Sequence, residues 1–165
     1  MIAVLGIVSC KGKRQMLTGT WHAVKLENPD MDTFFINSQH YIDTIGKNNS
    51  EDANLQLYGV ANVDSLRRVL QAQYDTAKAM QMNAVVNTVF SFRADSMAFL
   101  TFNGIPDSAR WYMDKDDKLI LDDLQGQGTG EKVNMEIVEL TDVALKLRFK
   151  EDNAFSTVTF RREGK

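Results

Sequence analysis

The stretch LTGTW, residues 17–21, leads into GTWHAVKLE (19–27), a segment whose apolar and polar residues alternate as along a half-buried β-strand. The alternation changes phase part-way, because Trp21 and the pair Val24 and Leu26 have opposite parity. A bulge after Trp21 would place both sets inside; without one, Lys25 points inward. Apart from the hydrophobic run 2–8, which a buried N-terminal strand with an inert cysteine would also explain, no other segment before residue 86 reads as a strand, so the fold depends on what this first one pairs with.

From residue 86 onward the sequence alternates at period two between turn signals. Residues 86–93 (VNTVFSFR) and 97–103 (MAFLTFN) flank a turn at 94–96, and Asn103-Gly104 is a strong hairpin signal. Residues 107–114 and 118–121 flank the charged turn 115–117, and a Gly-rich loop over 125–132 leads into 133–140. Thr141-Asp142 turns into 143–150, where Val143, Leu145, Leu147 and Phe149 alternate with Lys146, Arg148 and Lys150. A last turn at 151–153 leads into 154–162. With the first segment the chain offers eight strands, each long enough to form one side of a barrel.

Between them, residues 28–85 read as an insertion of two helices. Asn28-Pro29 fits an N-cap followed by proline at the first helical position, and Gly46 suits the other end. Met31, Phe34, Phe35, Tyr41, Ile42 and Ile45 share one side of this helix. Residues 47–58 read as a polar loop. A second helix starts near Asn62 or Asp64, with Leu66, Leu70, Tyr74, Ala77 and Met80 as an apolar stripe. Core packing accounts for both stripes better than a cofactor site.

The Gly-x-Trp at residues 19–21 resembles the opening of lipocalins and of small bacterial lipocalin-like domains. The resemblance covers 17–27 and 86–162 and omits the helical insertion. It implies a mainly β fold: an eight-stranded antiparallel up-and-down barrel, with the two helices between strands 1 and 2. In that family the first-strand tryptophan packs across one end of the barrel, the glycine lets the backbone pass beneath the ring, and a last-strand arginine stacks on it. Those closure roles carry over to Trp21, Gly19 and Arg162, the last chosen because it shares the parity of Val158 and Phe160. Alternation places Leu119, Leu121, Val133, Met135, Ile137, Leu145, Leu147 and Phe149 inside, together with either Trp111 or Tyr112.

At the other end of the chain, the hydrophobic run 2–8 (IAVLGIV) is too short to span a bilayer, which takes about 20 apolar residues. It matches the core of a signal peptide. The segment IVSC resembles a bacterial lipobox, which implies lipidation of Cys10 and cleavage just before it. The expected division is then a signal peptide over 1–9, a lipidated tether over 10–18 and the barrel domain over 19–162. Lys11, Lys13 and Arg14 would lie near anionic head groups, facing the periplasm. The expected location is the bacterial cell envelope, with the membrane as partner through the lipid.

Charge and composition narrow the function. The net charge is −3, with Lys11, Lys13 and Arg14 concentrated at the start, which argues against a nucleic-acid partner. His22 and His40 are the only histidines and have no metal spacing, and no phosphate loop, nucleophile elbow or triad is present. Neither catalytic nor metal residues are therefore assigned, nor any cofactor. One pattern recurs, Asp then Ser or Thr then a small or aliphatic residue, starting at Asp43, Asp64, Asp75, Asp95 and Asp107. It resembles the O-glycosylation site of one group of Gram-negative bacteria, while cap and turn chemistry explains Asp64 and Asp95 as well. Two non-catalytic readings follow: a barrel that binds a small apolar or amphipathic ligand, with Trp111, Leu119, Leu121, Met135, Ile137, Leu145 and Leu147 as interior candidates, or a filled barrel that meets an envelope protein.

Overall fold

The computed structural model describes residues 10–123, 132–151 and 154–164. In chain order the elements are α1 (Cys10–Leu17), β1 (Gly19–Glu27), α2 (Pro29–Thr44), α3 (Glu51–Tyr58), α4 (Asp64–Val86), β2 (Val89–Phe92), β3 (Met97–Phe102), β4 (Ile105–Met113), β5 (Leu119–Asp123), β6 (Lys132–Leu140), β7 (Ala144–Glu151) and β8 (Ala154–Arg162). Each strand pairs antiparallel with the next, and β8 pairs with β1, so the sheet closes into an eight-stranded up-and-down barrel. Closure gives every strand a hydrogen-bonded neighbour on both sides, which protects sheet edges from pairing with other chains.

From β2 to β5 and from β6 to β8 short connections enforce this order, because a tight turn can join only antiparallel neighbours. Asn103 and Gly104 link β3 to β4 with φ of 51° and 79°, the left-handed pair that matches the twist of a hairpin. The phase change in β1 is resolved by a bulge between Ala23 and Lys25. Trp21, Ala23 and Leu26 face Arg162, Phe160 and Val158 on the inner side. The bulge thus brings Leu26 inward but leaves Val24 48% exposed, so it does not place both residues inside.

Aromatic side chains fill much of the interior. The Phe90 ring lies 4.8 Å from Phe160, 5.1 Å from Phe102 and 6.1 Å from Phe92, and Phe92 meets the Trp111 indole at 5.4 Å. Most of these pairs are edge-to-face, the arrangement that aromatic quadrupoles favour. Ser156, fully buried, takes a hydrogen bond from the Asn28 side chain at 2.9 Å.

Residues 29–82 form a second compact unit. It contains three helical segments rather than the two expected. Residues 51–58, read as a polar loop, form α3, with the Ser50 hydroxyl accepting from the Ala53 N–H at 3.2 Å. The one buried residue of α3 is the polar Asn54, while Leu55 and Leu57 are exposed, so no apolar period marks this helix. The helix boundary also moves: α4 continues to Val86, and the strand expected from residue 86 starts at Val89.

The two predicted stripes are only partly core. Ile42 and Ile45 are buried with Val63, whereas Phe34 and Tyr41 are exposed. On α4, Leu66, Leu70 and Tyr74 are half-buried and Ala77 and Met80 exposed. Arg67 holds this unit together by donating to the Ile42 and Ile45 carbonyls at 3.2 and 2.9 Å, satisfying the open end of α2. Phe35 packs edge-on against Tyr74 at 5.5 Å.

Phe160→Ala should lower stability in a urea melt by about 3–5 kcal/mol, as aromatic truncations in cores do. Ile105→Ala, at a residue 69% exposed, should stay within about 0.5 kcal/mol of the parent.

Candidate functional site

The two ends of the barrel differ. One is closed around Trp21, which is fully buried and donates its indole N–H to the Leu17 carbonyl at 2.8 Å. The Arg162 guanidinium lies over its ring at 4.2 Å. The same group donates to the Thr18 carbonyl at 2.7 Å, to the Asp142 carbonyl at 2.9 Å and to the Met16 carbonyl. One planar cation therefore covers the indole and satisfies carbonyls where α1 ends, which the single ammonium of a lysine could not reproduce.

Gly19 is required here for two reasons. Its φ of 136° is rarely adopted by L side chains, and a Cβ would lie 2.5 Å from Arg162 Nη1. Leu17, fully buried, completes this base.

A second arginine–tryptophan contact fixes the far part of α1. The Arg14 guanidinium lies 5.2 Å from the Trp111 ring centre and donates to Ser96 Oγ at 2.5 Å. Trp111 donates to the Arg93 carbonyl at 3.0 Å, and Lys13 pairs with Asp117 at 2.7 Å. The segment read as a tether thus contains a helix that packs on the barrel, and two of its three basic residues engage barrel turns. These partners are 80 to 104 residues away in sequence, so no local pattern announces them.

The other end opens into a cavity of about 390 Å³. Leu100 and Phe102 from β3, Ala109 from β4, Leu121 from β5, Met135 from β6 and Phe149 from β7 supply its apolar wall. Asp107, Ser108, Val133 and Lys150 also line it, and Val133 is 44% exposed. On the outer face of the same strands, Lys132 donates to the Tyr112 hydroxyl and pairs with Asp122, both at 3.2 Å; these partners raise its pKa.

The interior candidates therefore separate into two groups. Trp111, Leu119, Leu145 and Leu147 have no exposed surface and sit in the packed core, with Ile137 partly buried against it. Only Leu121 and Met135 of that set line the cavity. Leu100, Phe102, Asp107, Ser108, Ala109 and Lys150 were not among the candidates. Parity held the signal for four of them: Leu100 and Phe102 alternate with Phe99 and Thr101, and Asp107 and Ala109 share the phase of Trp111.

Among the described residues, no group of three or more His, Cys, Asp or Glu is placed to hold a metal ion. No helix among them is long and apolar enough to cross a membrane. At the recurrent Asp-Ser/Thr positions, the Thr44 and Thr76 hydroxyls donate to the His40 and Ala72 carbonyls at 2.7 and 2.8 Å, and Ser96 is the acceptor for Arg14.

No protein-family model matches the sequence. A search of curated proteins likewise finds no match. Among solved structures, a DUF4847 family protein from Bacteroides vulgatus is similar, with a TM-score of 0.44 and 12% identity over 91% of this chain and 96% of that one.

Gly19→Ala should displace the Arg162 guanidinium and cost about 1–3 kcal/mol, the range of enforced backbone strain. Trp21→Ala should cost about 3–5 kcal/mol. A urea melt of each checks both values, and a loss under about 1 kcal/mol for Trp21→Ala would remove the indole from its role as the base of the barrel.

Proposed function

We propose that the protein is a non-catalytic lipoprotein of the bacterial cell envelope, facing the periplasm, whose lipocalin-like barrel binds a small apolar or amphipathic molecule in its open half. The cavity is the observation that carries this reading. At about 390 Å³ it falls within the range of small-molecule sites, and its apolar wall with a few polar groups is the composition such sites share. A closed, hydrogen-bonded sheet forms its sides, so little ordering is left for the ligand to cost.

Two grooves on the helical unit are larger, about 710 and 520 Å³. They lie along α2 and α4, where no closed sheet fixes the wall, and the barrel cavity is preferred on that ground. Anchoring rests on the IVSC segment and Cys10, with the lipid as the link to the membrane. No cofactor, metal or nucleic acid enters the proposal. Kinship with lipocalins is supported by the Gly19–Trp21–Arg162 arrangement. The packed lower half of the barrel favours a second reading, in which the domain is a rigid module that meets an envelope protein.

Native and denatured mass spectra of the soluble chain from Lys11, taken from a periplasmic extract, separate the two readings. Ligand binding predicts extra native mass that denaturation removes, and that Val133→Trp, which narrows the mouth at a part-exposed site, abolishes. A bare native mass would instead support the filled module.

A further inference from the structure

We propose that the closed end of the barrel is the surface that faces the lipid bilayer, so that the cavity opens away from the membrane and exchanges its ligand with the aqueous side. The inference rests on the reading that Cys10 carries the anchor, and what it adds comes from α1. Cys10 is the first residue of that helix, and Arg14, four positions later, is already held by Trp111 and Ser96. At a rise of about 1.5 Å per residue, those four positions span roughly 6 Å. Lys13 is held by Asp117 and Leu17 is buried in the base, so no slack lies between the acylated residue and the barrel. A leash this short keeps the closed end against the head groups.

The mouth lies at the opposite end of the strands. β4 runs nine residues from Ile105, beside the mouth, to Met113 near the base. At about 3.3 Å per residue that is roughly 30 Å, or some 20–25 Å of height for a strand tilted by about 40°. A cavity at that height cannot draw a molecule straight from the bilayer that holds the anchor.

The charges of the closed face suit an anionic lipid surface. Asp117 and Asp95 are paired with Lys13 and Arg93, and the Asp114 carboxylate accepts the Asp116 and Lys118 N–H groups. Lys115, Lys118 and Arg161 are exposed and make no ion pair among the described residues, and the other acids near this end are Asp114, Asp116, Glu139, Asp142 and Glu163, the last 3.7 Å from His22. Cations at this position are attracted to anionic head groups.

The test uses the full-length lipidated protein with a cysteine introduced at Asp116→Cys, in the closed-end turn, or at Ile105→Cys, beside the mouth. Because the chain has one native cysteine, acylation of Cys10 leaves each variant a single reactive thiol for a fluorescent label. The labelled proteins are reconstituted into phosphatidylethanolamine and phosphatidylglycerol vesicles containing a head-group nitroxide lipid. The proposal expects quenching several-fold stronger at position 116 than at 105. Equal quenching, the reverse order, or none at either position would overturn the orientation. Intact mass of the membrane extract is read separately: absence of acyl mass on Cys10 overturns the anchor and the orientation with it, whereas acylation with the wrong quenching order overturns the orientation alone.

Discussion

The stack of Arg162 on Trp21 is the contact on which the closed end depends. A small barrel can pack its middle with side chains from eight walls, but at an end the strands stop and apolar surface meets water. Here the indole supplies the floor, and the guanidinium covers it with a group that water can still solvate at its edges. Because that guanidinium also donates to carbonyls at the end of α1, the helix, β1 and β8 are joined at one point. Gly19 leaves the room that the arrangement needs.

The cavity follows from how bulk is distributed along the strands. Toward the base the interior holds Trp21, Trp111 and Phe92, all fully or almost fully buried. Toward the mouth the inner positions include Ala109, Val133 and Met135, with charged Asp107 and Lys150 beside them. The same wall geometry therefore encloses a packed core at one end and space at the other. The packed half is the core, and the open half holds the cavity.

The helical unit obeys different rules. Its helices combine a small apolar contact set with end chemistry, Ser50 opening α3 and Arg67 closing α2. Its buried set is small and includes the polar Asn54. That explains why an apolar period is a weak guide to it, and why α3 shows no amphipathic signature in the sequence.

The strand order and most strand limits are legible in the sequence because they depend on local properties. Side chains alternate every two residues, and Asn103-Gly104 turns the chain with no help from elsewhere. The pairing of Trp21 with Arg162 is readable from parity together with the resemblance of Gly19–Trp21 to a lipocalin opening. Three features required the tertiary structure. The Ala23–Lys25 bulge sets which side of β1 faces inward after Trp21, and it depends on register with β8. The roles of Lys13 and Arg14 depend on turns some 80 to 104 residues away. The division of the interior into core and cavity depends on which layer each residue occupies, because alternation gives a side chain its face but not its height in the barrel.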